Sequence, residues 1–369
     1  DWLHTYGTNS HEYLEAIAEC SDGGFLLGGR IEHSYPWIVR TDVDGKQLWN
    51  QSLDPDDTDY VELYDIKELQ SGEIIVAGVH RSQEANYTQA WLAKLDTNGT
   101  VMWSKIFSDI TQHQICKSLI LCQNGDFLLL GDTANSGYNL QNLWMLRTTD
   151  AGHIIWQKTF IKEGNEEFWA ATETYEGGIV ITGSLSTYGS SGYTMSLLKT
   201  NSSGSLLWNK TYSGNEAQID VDEHISGIST DGRDVIECDD NGLALVGRVS
   251  GSNKANIWLI RTDEFGTHLW NKTVHRSIVD SPVAIAIRQQ YEDFIVLSET
   301  REDTVSSEPD ILLTFIDDEA PITPTTTTTT TTTGNGQFDV VVFAGIISAA
   351  AMFVIVLILY GKRQTTGLE

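Results

Sequence analysis

Residues 258–270 read Trp258-Leu-Ile-Arg-Thr-Asp-Glu-Phe-Gly-Thr-His-Leu-Trp270. An apolar run with one basic residue leads to an Asp and a Gly at turn spacing, and a second run begins around the closing tryptophan. This pattern is typical of two strands joined by a tight turn. Four more copies, at 37–49, 91–103, 144–156 and 196–208, keep the Gly eight and the Trp twelve residues after the first position. The sequence therefore predicts a repeat of short strands.

The spacing of the closing tryptophans gives the size of the repeat. Counted from Trp2 they are separated by 47, 54, 53, 52 and 62 residues, which matches four-stranded propeller blades. The last unit, from Pro282 to Phe315, has three strand-like runs, and residues 1–6 resemble the missing fourth. We expect an all-β, six-bladed β-propeller over residues 1–317, closed by the N-terminal strand so that no sheet edge stays unpaired.

The order Asp-Gly-Gly, apolar strand, Trp-x-x-[Arg/Lys]-Thr-Asp, Gly, Trp resembles the quinoprotein-type (PQQ-like) β-propeller repeats of archaeal and bacterial membrane-anchored surface proteins. Quinone-dependent dehydrogenases of that superfamily have eight blades, a cofactor pocket with calcium and often a vicinal disulfide. This chain has six units and no adjacent cysteines, so the resemblance implies the fold rather than that activity. It also implies that the closing tryptophans dock between neighbouring blades; these are Trp2, Trp49, Trp103, Trp156, Trp208 and Trp270.

The charge and the cysteines exclude several classes of function. A formal net charge of −28, from 51 acidic and 23 basic residues, argues against binding nucleic acid, whose phosphates require Lys and Arg. The four cysteines show no zinc or redox spacing. Cys20, Cys122 and Cys238 occupy equivalent positions in blades that are not neighbours, and the geometry of a disulfide does not allow them to pair. We expect buried free thiols.

The composition changes after Asp317. Residues 318–339 are rich in Thr and Pro and include nine consecutive threonines, which is typical of an extended O-glycosylated stalk or of an unmodified spacer. Residues 340–360 carry no charge and are long enough for one transmembrane helix. Lys362 and Arg363 follow it, so residues 361–369 are expected to be a cytoplasmic tail and the propeller to be extracellular. The predicted location is the cell membrane, with a single pass.

Asn-x-Ser/Thr sequences agree with an extracellular head, because glycans are attached at such sites. The candidate glycosylation sites are Asn50, Asn86, Asn98, Asn201, Asn209 and Asn271. An alternative is that these strings arise from the repeat itself. The chain opens without an apolar signal segment, so any signal peptide is expected to have been removed before residue 1.

A functional site is expected on the face that carries the variable loops, since residues repeated in every blade are better suited to a structural role. The repeated basic residues are Arg40, Lys94, Arg147, Lys199 and Arg261, whose heads are expected to pair with nearby carboxylates. Acidic residues just before the inner strands form a candidate calcium site or are solvated loop-end acids. The candidate ligands are Glu12, Asp59, Glu167, Glu223 and Asp280. No other cofactor is expected.

No catalytic motif is present: the chain lacks a Gly-x-Ser-x-Gly elbow, a phosphate loop and a metal-ligand cluster. The expected function is therefore non-enzymatic: a membrane-anchored cell-surface protein for adhesion or cell-envelope interaction, which displays the propeller to a glycan or a surface-protein ligand. Alternatives are an extracellular enzyme acting on polysaccharide, a quinone-linked dehydrogenase, and a structural coat protein. The sequence leaves ligand identity and oligomeric state open.

Overall fold

Sixteen ranges of the chain are described by the computed structural model of the protein. They are residues 4–7, 11–31, 35–53, 60–81, 87–107, 112–134, 141–160, 165–186, 192–213, 229–250, 255–274, 283–290, 293–300, 310–317, 339–341 and 358–360. All regular elements in these ranges are strands, so the prediction of an all-β chain is confirmed.

The first three sheets each contain four antiparallel strands in chain order. Sheet 1 consists of β1 (Glu12–Glu19), β2 (Phe25–Ile31), β3 (Tyr35–Thr41) and β4 (Gln47–Ser52). Sheet 2 consists of β5 (Tyr60–Glu68), β6 (Ile74–Arg81), β7 (Gln89–Leu95) and β8 (Val101–Phe107). Sheet 3 consists of β9 (His113–Leu121), β10 (Phe127–Ala134), β11 (Gln141–Thr148) and β12 (Ile154–Phe160).

Two further four-stranded sheets and one three-stranded sheet follow. Sheet 4 consists of β13 (Asn165–Glu173), β14 (Ile179–Ser186), β15 (Thr194–Thr200) and β16 (Leu206–Tyr212). Sheet 5 consists of β17 (Ser229–Glu237), β18 (Leu243–Ser250), β19 (Ala255–Thr262) and β20 (His268–Val274). Sheet 6 consists of β21 (Val283–Gln290), β22 (Asp293–Thr300) and β23 (Asp310–Asp317).

The sheets are arranged like propeller blades. The first strand of each sheet contacts the first strand of the next, from β1 through β5, β9, β13 and β17 to β21. Apolar side chains on facing sheets form the core; Trp91, Trp144 and Trp258, each from a third strand, are almost completely buried. The predicted propeller-like repeat is confirmed at this level.

The hairpins between the third and fourth strands form where the sequence predicts them, because an Asx side chain closes four of the five turns and Thr149 Oγ1 accepts the N–H of His153 in the turn of sheet 3. In sheet 1 the carboxylate Oδ1 of Asp42 accepts the backbone N–H groups of Asp44 at 3.0 Å and Lys46 at 2.8 Å. Gly45 takes a positive φ of 74°, which glycine adopts without a Cβ penalty. The same cap is made by Asp96, Asn201 and Asp263.

Each closing tryptophan from Trp49 to Trp208 packs on the turn glycine of the following sheet. A Cβ placed on Gly99 would lie 2.9 Å from Trp49 Cζ3. The same relation holds for Gly152 with Trp103, Gly204 with Trp156 and Gly266 with Trp208. Trp270 instead meets Phe294 of sheet 6, with ring centroids 6.1 Å apart. Trp2 lies outside the described residues.

The repeated basic residues pair with carboxylates or a carbonyl. Arg40 Nη2 lies 2.7 Å from Asp22 Oδ1 in its own sheet and 3.9 Å from Glu68 Oε1 in the next. Arg147 relates in the same way to Asp126 and Glu173. Lys94 pairs with Glu73 and Arg261 with Asp240, whereas Lys199 reaches the carbonyl of Glu264. These side chains therefore join turns and neighbouring sheets, as predicted.

All four cysteines are buried and free, which confirms the prediction of unpaired thiols. Burial raises the pKa of the thiols of Cys20 and Cys122 to about 12. Both thiols therefore stay protonated and unreactive near neutral pH.

The two ends of the chain differ from the sequence-based prediction. Residues 4–7 form no strand and sheet 6 has three strands, so a fourth strand paired to β23 is not observed in the described residues. The contacts recorded for this segment are with sheet 1 instead: Tyr6 Oη donates to the carbonyl of Gly45, and His4 Nε2 lies 3.1 Å from the carbonyl of Asp44.

Within the predicted transmembrane helix, only the ends are described. Asp339–Val341 (β24) pairs with Ile358–Tyr360 (β25), where the sequence predicted helix; β-branched Val and Ile favour this extended form. In the part of the chain that the structure describes, no helix has the length and apolar character needed to cross a bilayer. The stalk, residues 342–357 and the tail lie outside the described residues.

Replacing Gly152 by Ala should destabilise the protein more than replacing Gly125. Both glycines have positive φ, 70° and 88°, which costs a residue with a Cβ ~1–2 kcal/mol. A Cβ on Gly152 would also lie 3.0 Å from Trp103, whereas nothing lies within 4 Å of one on Gly125. Overpacking should add ~1–3 kcal/mol to the free energy lost in G152A. Denaturant titration measures both, and equal losses would contradict tryptophan docking.

Candidate functional site

Each of the six sheets carries one β-bulge at the same place in its first strand. The register shifts by one residue there, for example between Leu14 and Ala16, and a bulge releases one residue from the ladder and re-aims its side chain. The released residues are Glu15, Tyr64, Lys117, Trp169, Arg233 and Ile285. We name them the bulge residues. The first strands are the ones that contact each other, so the bulge residues lie along the innermost part of the structure.

A glycine in the second strand makes room for each of the first five bulges. A Cβ on Gly131 would lie 1.7 Å from the carbonyl oxygen of Ile115, far inside van der Waals contact. The corresponding distances for Gly29, Gly78, Gly183 and Gly247 are 1.9 to 2.0 Å. In these five sheets a Cβ does not fit beneath the carbonyl. In sheet 6, Ser298 stands in the equivalent register position, so the bulge forms there without a glycine.

The bulge residues differ from sheet to sheet, whereas the hairpin residues are repeated almost unchanged. They are an acid, a phenol, an amine, an indole, a guanidinium and an alkyl chain. Three of the bulge residues contact each other. Lys117 Nζ lies 5.2 Å and Arg233 Cζ lies 4.2 Å from the centroid of the Trp169 ring. A single functional site on a repeated scaffold requires positions of this kind, where the same backbone position carries a different side chain in each repeat.

The first group in this region surrounds Glu62, which precedes the bulge of sheet 2 and is 7% exposed. Its Oε1 accepts a hydrogen bond from Arg30 Nη1 at 3.0 Å, and its Oε2 accepts one from Tyr64 Oη at 2.5 Å. Arg81 Nη2 lies 4.0 Å from the same Oε2. A nearly buried carboxyl group is thus held in place by two arginines and a phenol.

Glu15 belongs to the same group but has a different environment. It is half-buried, and the pKa of its carboxyl is raised by burial; Arg30 opposes this shift and the negative charge of Glu62 adds to it. The pKa of Tyr64 is raised by burial and by its hydrogen bond to Glu62. Two neighbouring carboxyl groups therefore have different environments: burial raises the pKa of Glu15, whereas Glu62 is hydrogen-bonded to Arg30 and Tyr64.

A second group surrounds Asp132, which follows the glycine of sheet 3 and is 1% exposed. It is paired with the ammonium group of the bulge residue Lys117. Burial raises the pKa of the Asp132 carboxyl, Lys117 opposes the shift, and the charge of Glu167 raises it further. Asp132 Oδ1 has no hydrogen-bond partner among the described residues. This carboxylate is too deeply buried to be reached easily by a large substrate.

The third group lies in sheets 4 and 5. Asp231 Oδ1 accepts a hydrogen bond from Arg233 Nε at 2.8 Å, and its Oδ2 accepts those of Arg248 Nε at 3.0 Å and Nη2 at 2.9 Å. Arg233 also stacks on Trp169, a cation–π contact. One carboxylate here orients two arginines, of which Arg248 has a side chain 29% exposed.

Of the predicted calcium ligands, the structure describes two. Glu12 is at the start of β1 and Glu167 is in β13, close enough to Asp132 to influence its pKa. Asp59, Glu223 and Asp280 lie outside the described residues. Among the described residues no group of three or more His, Cys, Asp or Glu side chains is arranged to hold a metal ion. The calcium site stays a prediction.

Five of the six predicted glycosylation sites are described, and their side chains differ in availability. Asn50, Asn98 and Asn209 are exposed. Asn201 caps its own turn, accepting the backbone N–H groups of Ser203 and Ser205. Asn271 Oδ1 accepts a hydrogen bond from Trp258 Nε1 at 3.0 Å. Asn86 lies outside the described residues.

The bulge residues and their partners were missed in the sequence, although a signal exists. Each bulge residue of sheets 1 to 5 lies eight residues before the turn residue with positive φ, which is Gly23, Gly72, Gly125, Gly177 or Asn241. Aligning the repeats on these five turns places five different side chains in one column. These residues belong neither to the variable loops nor to the repeated positions.

Comparison with known proteins finds solved structures with a similar fold but no matching family. No family model and no curated protein matches the chain. A crystal structure of puromycin hydrolase matches with a TM-score of 0.55 and 12% identity over 86% of this chain; the chain spans 48% of that protein. An α-L-arabinofuranosidase from Fusarium graminearum and an α-L-arabinanase from Penicillium chrysogenum each match with a TM-score of 0.48 at 10% identity. The matches cover 84% and 83% of this chain, and 94% and 93% of the respective enzymes.

The match to puromycin hydrolase corrects two expectations from the sequence. A display protein without catalytic activity was expected for adhesion or cell-envelope interaction, and no enzyme was expected; both expectations are contradicted, because the solved structure that shares this fold with a TM-score of 0.55 is an enzyme. The expectation that the protein is not an enzyme rested on the absence of a known motif. A site formed by residues from different sheets would leave no such local motif. The finer likeness to quinoprotein propellers stays a prediction.

Asp132→Asn should make the protein gain stability relative to the wild type as pH rises from about 4 to 7. A carboxyl whose pKa is raised by folding contributes stability below its unfolded pKa and loses it as pH rises through the folded pKa, and Asn has no charge to bury. Asp96→Asn should show the opposite trend, but below about pH 4: backbone hydrogen bonds, first that from Thr100, lower the pKa of Asp96, so its stabilising effect is lost only as pH falls through that lowered pKa. Unfolding midpoints from about pH 2 to 7 measure both; parallel pH curves for D132N and wild type would contradict the assignment.

Proposed function

We propose that the protein is an extracellular hydrolase that cleaves polysaccharide at the inner strands of sheets 1 and 2. Glu15 is the general acid, and Glu62 is the carboxylate that acts as base or nucleophile. The observation that carries this proposal is the Glu15–Glu62 pair, in which burial and a neighbouring negative charge raise the pKa of one carboxyl while Arg30 and Tyr64 hold the other. Pairs of carboxyl groups with opposed environments are typical of acid and base assignments.

Hydrolysis of a glycosidic bond uses these two states together. A protonated carboxyl donates its proton to the leaving oxygen, and an ionised carboxylate either activates water or attacks the sugar. Glu15 is half-buried and so reachable, and Glu62 has its charge fixed by Arg30 at 3.0 Å. The ring of Tyr13, 39% exposed and covered by Arg30 at 4.7 Å, offers an aromatic surface beside the pair.

The position of the pair suits a long substrate. Glu15 and Glu62 stand in the first halves of β1 and β5, the ends that the chain enters from the long variable connections. A polymer lying across this face reaches the innermost strands without passing through the short turns of the opposite face. Loops that differ between sheets then provide the contacts along the chain.

Glu15→Gln should lower kcat by about a hundredfold or more, because general acid catalysis contributes about 10² to 10⁴. In the wild type, activity should fall at high pH as Glu15 loses its proton, and this fall should be absent from the residual activity of E15Q. Reducing-sugar release from a panel of polysaccharides, followed against pH, measures both effects.

The matched control is Glu19→Gln, since Glu19 is an exposed acid of the same strand. E19Q should retain wild-type kcat, KM and pH profile. Wild-type protein that releases no sugar from any polymer, or an E15Q variant with unchanged kcat, would contradict the proposed hydrolysis.

The same proposal includes a closed ring of six blades. Tyr6 Oη donates to the carbonyl of Gly45 in sheet 1, and Tyr212 Oη at the end of sheet 4 donates in the same way to the carbonyl of Gly266 in sheet 5, at 2.8 Å. Residues 4–7 therefore stand toward sheet 1 as the outer strand β16 stands toward sheet 5. This likeness supports the N-terminal segment as the fourth strand of the sixth blade.

Tyr6→Phe and Tyr212→Phe should lower the free energy of unfolding by similar amounts, about 1 kcal/mol each, the net contribution of one hydrogen bond. Tyr193→Phe, at a half-exposed position, should have almost no effect. Guanidinium titrations of the three variants compare them. A loss in Y212F without one in Y6F would contradict closure through the N-terminus.

We further propose that the propeller lies outside the cell, on a stalk of residues 318–339, with a membrane span at 340–360 and a cytoplasmic tail at 361–369. Exposed Asn50, Asn98 and Asn209 support glycosylation on the outer strands and turns. Treatment of intact cells with protease should release the head and leave the tail protected. A tail degraded together with the head would contradict this orientation.

A further inference from the structure

Positive charge is concentrated at the inner strands of a strongly acidic chain. The net charge is −28, yet five cationic side chains lie at the groups formed around Glu62, Asp132 and Asp231, which also include Glu15 and Glu167. The five cations are Arg30, Arg81, Lys117, Arg233 and Arg248. Among the other described cations are the five repeated basic residues, which join neighbouring turns, and exposed lysines such as Lys46. The site therefore differs in charge from the surface around it.

Two of the carboxylates are each shared by two arginines. Glu62 pairs with Arg30 and Arg81, and Asp231 pairs with Arg233 and Arg248. Glu62 and Asp231 both stand two residues before the bulge residue, in sheets 2 and 5. One cation is enough to balance a buried carboxylate, so each group holds one arginine more than its central carboxylate needs; in the first group Glu15, whose pKa burial raises, also lies near Arg30. The repetition three sheets apart argues against chance.

The second arginines of the two groups, Arg81 and Arg233, have guanidinium N–H donors that are available to a ligand. Arg81 is half exposed and contacts Glu62 only at 4.0 Å, while its guanidinium lies 6.0 Å from the Tyr60 ring centroid. Arg233 uses Nε for Asp231 and packs on Trp169; its two Nη groups find no acceptor among the described residues. An oriented guanidinium with free Nη groups matches the two oxygens of a carboxylate.

We propose that the site takes an acidic polysaccharide whose sugars carry carboxylate groups, and that Arg81 and Arg233 bind these carboxylates. The proposal rests on the proposed function for the hydrolytic step, while the binding itself does not depend on turnover. A net charge of −28 repels such a polymer at a distance, and screening limits this repulsion to about 8–10 Å at ordinary ionic strength. Recognition is therefore local, through arginines already oriented by Glu62 and Asp231.

The test compares acidic polymers with their own neutral forms. Polygalacturonate, alginate and hyaluronan are titrated into the full chain by calorimetry, each beside a carboxyl-reduced preparation of the same polymer. At least one acidic form should bind about tenfold tighter or more than its reduced form, as expected for hydrogen bonds to charged groups. Equal binding of both forms, or no binding of any acidic form, would overturn the proposal.

Variants locate the effect. Arg81→Gln and Arg233→Gln should each weaken binding of that acidic polymer by about tenfold and leave binding of its reduced form unchanged. Lys46→Gln, at an exposed lysine of a short turn, should change neither. Thermal midpoints check that R233Q is folded, and the half-exposed Arg81 supplies the second variant. Unchanged binding in folded R81Q and R233Q would overturn the assignment of these arginines.

Further measurements distinguish the binding of acidic polysaccharide from the proposed hydrolysis and from a general attraction to anions. Binding of the uronate polymer without sugar release supports the ligand class and contradicts hydrolysis, whereas sugar release only from neutral polymers supports hydrolysis and overturns the ligand class. Dextran sulfate bound as tightly as the uronate polymer, with the same loss in both variants, would overturn recognition of carboxylates.

Discussion

The structure depends on one steric constraint: a carbonyl of the first strand occupies the space where the second strand would otherwise carry a Cβ. In five sheets a glycine meets this carbonyl, with 1.7 to 2.0 Å between the oxygen and an ideal Cβ. The glycine permits the bulge, and the bulge removes one inner residue from the ladder. Register, twist and the direction of the inner side chains all follow from this contact.

Around this constraint the chain divides its positions into two kinds. Turn caps, docking tryptophans and the repeated basic residues recur because every interface between sheets needs the same contacts. Bulge residues need not recur, since they belong to no ladder pair. Burial raises the pKa of Asp132, so the chain keeps an ionisable group where its charged form costs stability, as functional sites often do.

The local elements could be predicted from the sequence, whereas the candidate site could not. The Asp42-to-Gly45 turn, the Trp49 position and the free cysteines follow from short-range chemistry, in which neighbouring residues specify the geometry. Glu15 and Glu62 stand 47 residues apart in the chain, and only packing of β1 against β5 joins them. Their roles depend on Arg30 from a third strand. Such a long-range arrangement has no local pattern, whereas the column of bulge residues could have been found by aligning the repeats on their turns.

A residue released from the ladder can be exchanged without breaking any backbone pairing. Each sheet therefore contributes one position to the inner surface whose side chain can change independently. The six positions together can carry many combinations of side chains on the same backbone. Chains with the same hairpins and glycines but other residues at Glu15, Tyr64, Lys117, Trp169, Arg233 and Ile285 would keep this architecture and acquire a different chemistry. The bulges make the fold a template for diversification.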